Sequence, residues 1–333
     1  MSQTNIEFGR NLLPDALPQN MDWLVITTPP IREFVKSQFS SVEAQIHVPV
    51  SMDLAQLVDW EQQLPAAGTV LGIGGGVCMD AAKYIAWQRH LELYLVPSII
   101  SVDACVTETI GIRREGRVRY IGEVYPRSVL VDFELIQKAP LNLNRAGAGD
   151  ILSIHTALSD WQLAARETGE FYNERTAQQS AALLEQLDAA AEEIFHVTET
   201  GIRTLMALYL AEVQFCQQMG NSRPEEGSEH FWAYNVEYLT GKNFVHGELV
   251  ALGVLLMAAL QDNKLTQIHQ LIQKLGVRWR PEAIGLHPEE VQPALVTAKH
   301  YVETEGLSWS VLNARPIAPD LGVKIYNSVT ALE

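Results

Sequence analysis

The stretch Gly72-Ile-Gly-Gly-Gly-Val-Cys-Met-Asp80-Ala-Ala-Lys83 decides the reading of this chain. It follows the apolar run Thr69-Val-Leu71, which reads as a strand, and opens a segment of helical character. Glycine at 72, 74, 75 and 76 lets the backbone turn sharply and lie close against a ligand. The helix that follows offers free N–H groups to an anion, as at a nucleotide pyrophosphate. Asp80 and Lys83 fall one turn apart and face the same way as that helix start. The spacing matches neither common phosphate fingerprint. A GxGxxG pattern begun at Gly72 needs glycine where Val77 stands, and no Gly-Lys-Ser/Thr is present. A plain strand-to-helix turn is the competing reading, so the rest of the chain has to decide.

Outward from this turn, the first half alternates strand and helix. Strands are expected at 23–27, 45–48, 69–73, 93–96 and 128–131, with helices at 31–39, 53–63 and 77–88, and Ser51 as a candidate cap. Glu115-Gly116 between two apolar runs reads as a hairpin. This alternation predicts a parallel sheet wrapped by helices. The character changes near Pro140. Helical periodicity then dominates, with helices expected at 151–165, 176–198, 201–219, 231–239, 248–260, 265–274 and 291–302, and a polar loop at 218–229 leading to His230. The expected fold is an α/β, Rossmann-like parallel-sheet domain over 1–144, followed by an all-α domain over 145–333. In such a chain the cleft between domains is the default active site.

Composition narrows the function. The 333 residues carry a net charge of −16, which disfavours nucleic acid or an anionic membrane as partner. The longest apolar run, 249–260, is too short to span a bilayer, and the N-terminus lacks the pattern of a secretory signal. Three widely spaced cysteines without a CxxC suit reduced thiols, hence a cytoplasmic protein. Homo-oligomerisation is compatible with all of this. No Gly-x-Ser-x-Gly elbow supports a serine nucleophile.

Three residues of the second half form a candidate metal set. Asp150 ends Arg145-Ala-Gly-Ala-Gly-Asp150, His230 ends Glu226-Gly-Ser-Glu-His230, and His246 begins His246-Gly-Glu248. Each stands at or near an expected helix start after a glycine-containing segment. Three helix starts facing one cleft bring one carboxylate and two imidazoles to one ion and leave positions open for a substrate oxygen. Each residue also has a plainer reading, Asp150 as a helix cap and the histidines as hydrogen-bonded core residues. His155 is the other histidine of interest, and Lys242 and Arg145 are candidate anion holders. Met206, Tyr209, Phe215 and Met219 at helical spacing read as core.

Taken together, these motifs resemble the family that unites iron-containing alcohol dehydrogenases, glycerol dehydrogenases, glycerol-1-phosphate dehydrogenases and 3-dehydroquinate synthases. Gly74-Gly-Gly-Val-Cys-Met-Asp80 is similar to its GGGxxxD pattern, and Ala81-Ala-Lys83 to the dehydrogenase version. Val96-Pro-Ser-Ile-Ile-Ser-Val-Asp103, Val129-Leu-Val-Asp132, Thr156-Ala-Leu-Ser-Asp-Trp161, Gly227-Ser-Glu-His230 and His246-Gly-Glu248 resemble the glycerol-1-phosphate dehydrogenase branch, in that family's order. The resemblance implies NAD or NADP, held by Gly74, Gly75, Gly76 and Asp80 and lined by Ser98, Ser101 and Thr107. It implies a divalent ion, usually zinc, with nickel or iron in some members, on Asp150, His230 and His246, and a substrate contact from Asp103. The implied activity is metal-dependent dehydrogenation of a small polyol or polyol phosphate. Two positions depart. Tyr234 stands where the branch carries a substrate-facing histidine, and Phe231 where it often carries another. The rivals are a dehydroquinate-synthase-like lyase or cyclase, which commonly uses glutamate where Asp150 stands, and a non-catalytic nucleotide- or metal-binding descendant.

Overall fold

The structure, a computed structural model, describes residues 4–13, 22–38 and 45–332. It divides into two compact units, Met1–Asn144 and Arg145–Glu333.

The first unit holds strands β1 (Asn5–Gly9), β2 (Trp23–Thr27), β3 (Gln45–His47), β4 (Thr69–Gly74), β5 (Glu92–Pro97), β6 (Thr109–Arg114), β7 (Arg117–Glu123) and β8 (Ser128–Asp132). Its helices are α1 (Arg32–Gln38), α2 (Leu54–Gln63), α3 (Gly76–Arg89), α4 (Phe133–Lys138) and α5 (Leu141–Ala146), the last running on across the division. Six strands form one parallel sheet in the order β1-β8-β5-β4-β2-β3, and β6 and β7 pair separately as an antiparallel hairpin. Strands β2, β4 and β8 are buried at every residue, which is why they read as unbroken apolar runs. Trp23, Val25, Leu71, Ile73, Tyr94 and Leu130 share one core on one face of the sheet. On the other face α3 lies so close that a Cβ at Gly72 would stand 2.8 Å from the Ala82 Cβ. The chain order reverses between β2 and β4, and ligands of open α/β sheets bind at such a switch point, beyond the strand C-termini. The glycine turn leaves β4 there.

Lys83 of α3 is fully buried. Its Nζ pairs with Asp80 Oδ1 at 2.8 Å and donates to the Thr109 carbonyl at 2.5 Å and the Thr107 carbonyl at 3.4 Å. Asp80 Oδ2 in turn packs over Gly111, 3.1 Å from where a Cβ would sit. This ion pair ties α3 to the entry of the hairpin. Lys83→Met keeps the aliphatic length but leaves a carboxylate and two carbonyls without their cation. It is expected to destabilise the protein by about 3 kcal/mol, the scale for breaking a buried pair from one side. Urea unfolding of wild type and variant measures it, and a change below ~1 kcal/mol counts against the role.

In the second unit every regular element among the described residues is a helix: α6 (Ala148–Thr168), α7 (Glu174–Ala189), α8 (Ala191–Phe195), α9 (Glu199–Met219), α10 (Ser228–Thr240), α11 (His246–Gln261), α12 (Leu265–Leu275), α13 (Pro288–Glu305), α14 (Val311–Ala314) and α15 (Pro319–Thr330), with a 3-10 turn over Pro281–Ile284. No helix among the described residues is long and apolar enough to cross a membrane.

Several expectations need correction. The N-terminal strand β1, helices α4 and α5, and the last two helices, α14 and α15, add to the expected elements. The helix expected over 176–198 is two, broken at Ala190, whose backbone leaves the helical region (φ −96°, ψ 5°) without a glycine or proline to signal it. The cap of α2 is Asp53, whose carboxylate accepts from the Ala55 and Gln56 N–H groups, while Ser51 instead accepts from the Asp53 N–H. Ile31 ends a short 3-10 turn (Pro29–Ile31) ahead of α1, and residue 39 lies outside the described residues. The polar loop expected over 218–229 is shorter at both ends, because α9 runs to Met219 and α10 starts at Ser228.

Candidate functional site

In the second unit, Asp150 is the third residue of α6, His230 the third of α10 and His246 the first of α11. The structure brings them together. His230 Nε2 lies 3.2 Å from His246 Nε2, and His246 Nε2 lies 3.4 Å from Asp150 Oδ1. One ligand atom from each falls within 4.8 Å of the others. Ligands held at the usual zinc–nitrogen and zinc–oxygen distances around a tetrahedral ion stand about 3.4 Å apart. Both the spacing and the donor set of two imidazoles and a carboxylate fit one divalent ion. The Asp150 side chain is 11% exposed and that of His246 29%, so the set is open to solvent on the His246 side.

Glycine makes this convergence possible. A Cβ on Gly149 would fall 2.1 Å from the Gly247 carbonyl oxygen, and one on Gly247 would fall 1.8 Å from the Ala146 carbonyl oxygen. The starts of α6 and α11 therefore cross backbone against backbone, which sets Asp150 beside His246. Gly253 does the same for α10 and α11, since a Cβ there would meet the Glu229 carbonyl oxygen at 2.7 Å. Three helix N-termini carry partial positive charge, which opposes a cation. An acid in the first turn of each offsets it: Asp150 in α6, Glu229 in α10 and Glu248 in α11.

Glu229 is fully buried. Its Oε1 accepts from the Gly227 N–H at 2.6 Å and from His230 Nδ1 at 3.0 Å, and its Oε2 accepts from Thr156 Oγ1 at 2.7 Å. Asp160, also fully buried, accepts from the Ser228 and Val311 N–H groups at 2.8 and 2.7 Å and so caps α10. Burial, then the charge of Glu229, push the Asp160 carboxyl up to about 6. At His230 burial lowers proton affinity, but the hydrogen bond and charge of Glu229, with the charges of Glu226 and Asp150, more than reverse this and raise the pKa to about 9. Glu229, Asp160, Gly149 and Gly247 all stand inside motifs quoted above, but those motifs give them no role, because each role lies in a contact with another helix.

Phe231 and Tyr234 are both buried, and the Tyr234 ring centroid lies 5.9 Å from that of His230, one helical turn away. The two candidate anion holders are engaged elsewhere. Lys242 Nζ reaches both Glu290 carboxylate oxygens at 2.7 Å, and Arg145 donates from Nε to the Phe195 carbonyl with its guanidinium over that ring. His155 Nε2 meets the Asn263 carbonyl oxygen at 2.9 Å, and burial lowers its pKa.

In the first unit, Gly74, Gly75 and Gly76 form the turn from β4 into α3, and Ser98 lies against it, donating its N–H to the Gly74 carbonyl at 2.8 Å. None of these glycines adopts a positive φ. They are small because of close approach. Cβ atoms on them would lie 2.5 Å from the Cys78 Cβ, 2.7 Å from Ile99 Cδ1 and 2.8 Å from Val102 Cγ1. Ser101, Asp103 and Thr107 follow β5, where the Asp103 carbonyl accepts from the Val106 and Thr107 N–H groups. Thr107 Oγ1 lies 3.3 Å from Thr109 Oγ1. The thiols of Cys78 and Cys105 are buried, and burial raises the pKa of both, that of Cys105 to about 12, which disfavours the reactive thiolate.

Comparison with known proteins shows the family. The family profile described as iron-containing alcohol dehydrogenase matches residues 25–140. A glycerol-1-phosphate dehydrogenase (NAD(P)+) of Thermoplasma acidophilum is 32% identical over 273 residues, covering 82% of this chain and 76% of that protein. Its namesake from Sulfurisphaera tokodaii is 28% identical over 315 residues, covering 90% and 89%. The crystal structure of glycerol dehydrogenase from Schizosaccharomyces pombe superposes with a TM-score of 0.73 at 18% identity, covering 99% of this chain and 89% of that one, which speaks for the fold. The chain belongs to the iron-containing alcohol dehydrogenase family. Within that family, the curated sequences it is similar to carry the name glycerol-1-phosphate dehydrogenase.

Proposed function

We propose that this protein is a metal-dependent, NAD(P)-linked dehydrogenase of a small polyol or polyol phosphate, acting on dihydroxyacetone phosphate and glycerol-1-phosphate or a related hydroxyketone pair. The observation that carries the reading is the gathering of Asp150, His230 and His246 at three helix starts. The names of the relatives support the substrate class. When bound, a divalent ion, here zinc, supplies Lewis acidity toward a substrate oxygen, and a nicotinamide supplies the redox capacity. The protein's part is to hold and orient. Asp150, His230 and His246 hold the ion, Gly74 to Gly76 receive the dinucleotide pyrophosphate at the start of α3, and Asp80, held by Lys83, completes the cofactor-binding turn one helical turn on. Ser98, Ser101 and Thr107 line the dinucleotide, and Asp103 contacts the substrate. The three unpaired cysteines support a cytoplasmic setting.

The test is to strip the protein with a chelator, reload it with single divalent ions, and follow NADH and NADPH oxidation with dihydroxyacetone phosphate and dihydroxyacetone. About one ion per chain and chelator-sensitive net turnover are expected, with both lost in the Asp150, His230, His246 triple alanine variant. Full metal occupancy in that variant removes the site assignment. Metal binding without net nicotinamide turnover points to the lyase reading.

Tyr234 is assigned to substrate contact. Its phenol brings no positive charge, whereas a histidine there can draw in a phosphate. Wild type is therefore expected to discriminate weakly between phosphorylated and free triose. Tyr234→His should move the ratio of their kcat/KM toward the phosphate by roughly tenfold, about 1.4 kcal/mol. An overwhelming wild-type preference for the triose phosphate, unmoved by Tyr234→His and Tyr234→Phe, would leave Tyr234 as packing.

A further inference from the structure

We infer that Glu229 is the positioning residue of the metal centre: its buried carboxylate holds His230 in the form protonated at Nδ1 and so presents a bare Nε2 to the ion. This rests on the reading of Asp150, His230 and His246 as metal ligands.

The argument starts from what a carboxylate can do in this place. Glu229 has no exposed surface, and as an ionised group it only accepts. Three donors converge on it. The Gly227 N–H and the Thr156 hydroxyl donate to it, at 2.6 and 2.7 Å, and hold the carboxylate between α6 and the start of α10. The third group, His230 Nδ1 at 3.0 Å, faces a fixed acceptor and must carry hydrogen. A metal ion competes for the other nitrogen, so the proton it displaces is the one on Nε2, and the Nδ1–H held by Glu229 stays. His230 Nε2 is the atom 3.2 Å from His246 Nε2, at the point where the three candidate ligands meet.

The sequence makes this arrangement possible in three steps. Adjacent residues on a helix point in different directions, so Glu229 and His230 could not meet within a regular helix. At the first turn the backbone N–H groups are still unclaimed, and Glu229 folds back to the Gly227 N–H, which brings Oε1 alongside the ring. Residue 227 has to be glycine, because a Cβ there would lie 2.8 Å from Asp160 Oδ2 and 2.9 Å from the Ala157 Cα. Asp160 then holds the same helix start from the far side through the Ser228 N–H. The ring orientation of His230 is thereby set through Glu229 by Thr156 of α6 together with the Gly227 N–H.

Two variants separate geometry from charge. Glu229→Gln is isosteric. Its carbonyl oxygen can still accept from Gly227 and His230, and its amide can donate to Thr156 Oγ1, whose own hydrogen can turn to the Ser153 carbonyl, 3.2 Å away. Glu229→Ala removes the acceptor altogether. The probes are Zn2+, titrated against a chromophoric chelator, and Co2+, whose visible ligand-field spectrum reports ligand geometry without turnover. Wild type should bind both ions. Glu229→Gln should bind Zn2+ about tenfold more weakly and Glu229→Ala about 100-fold more weakly, the range for losing an orienting partner of a histidine ligand. The Co2+ spectrum should change in Glu229→Ala with far-UV circular dichroism intact, and should stay close to wild type in Glu229→Gln. Zn2+ affinities of both variants within about threefold of wild type, with an unchanged Co2+ spectrum, overturn the inference while leaving the centre in place. A wild type that takes up neither ion overturns the metal-centre reading, and the inference with it. If Glu229→Ala does not fold, Glu229→Gln alone decides.

Discussion

Gly247→Ala is expected to weaken zinc binding by on the order of 100-fold while leaving the first unit folded. The methyl group it adds would sit 1.8 Å from the Ala146 carbonyl oxygen, and that atom is backbone and cannot rotate away. To reach ordinary contact the start of α11 has to back off by about 1.6 Å, because close-packed interiors hold no spare room. His246 is the residue before Gly247 and moves with it. Metal sites tolerate ligand displacements of only about 0.2 Å, so the set no longer closes on one ion. Overpacking also destabilises, by roughly 1–3 kcal/mol, so a control has to separate general weakening from lost geometry. Gly169→Ala serves. Gly169 ends α6, has a positive φ of +76° and nothing within 4 Å of its missing Cβ. It therefore brings backbone strain without a clash, about 30 Å along the helix from Asp150. Comparable losses in urea stability with zinc affinity lost only in Gly247→Ala would tie the effect to the helix crossing. Wild-type zinc affinity in Gly247→Ala would show that the centre does not depend on it.

That contact also marks where the sequence stops being legible. The helix starts carrying Asp150, His230 and His246 could be located from local signals, since each follows a glycine-bearing segment and precedes an apolar periodic one. That Gly149 and Gly247 meet is a relation between residues almost a hundred positions apart, and nothing in either segment encodes its partner. In the sequence these glycines read as loop residues, and in the fold they are contact surfaces. Glu229 was hidden for a related reason. Its task depends on Thr156 from another helix and on folding back against its own helical direction.

The sheet divides in the same way. Strands β2, β4, β5 and β8 stand out because interior parallel strands are apolar on both faces. The edge strand β1, Asn5–Gly9, alternates polar and apolar residues, is half exposed, and owes its existence to pairing with Ser128–Asp132 at the far end of the unit. The break between α7 and α8 lies in the run Ala189-Ala-Ala191, among the best helix formers, so tertiary packing and not propensity ends that helix. The last helix is a different case. Pro319 at its first position and Asp320 in its first turn are ordinary start signals, and it was readable. Lys242 and Arg145 show the limit for charge, because a cation's availability depends on partners such as Glu290 and Phe195 that only the fold supplies.

Gly75→Val is expected to raise the dissociation constant for NADH and NADPH by roughly 10- to 100-fold, the consequence of 1–3 kcal/mol of overpacking placed at the proposed cradle. The backbone does not forbid the substitution. Gly75 caps α3 at φ −94° and ψ −167°, an extended conformation open to any residue. The obstacle is space, since the new Cβ falls 2.7 Å from Ile99 Cδ1 and 2.8 Å from Ile99 Cγ1. Ile99 belongs to the segment leaving β5, which the turn grips through the Ser98 N–H on the Gly74 carbonyl. A branched side chain at 75 pushes the turn off that segment and displaces the start of α3, where the pyrophosphate is proposed to bind. Zinc affinity in the same variant should match wild type, because Asp150, His230 and His246 belong to the other unit. Tight dinucleotide binding by Gly75→Val would mean that this turn is not the cradle. Adding Ile99→Ala resolves how the valine acts. Recovery of affinity in the double variant assigns the loss to a displaced turn, and persistent weakness assigns it to valine atoms standing in the space of the dinucleotide itself.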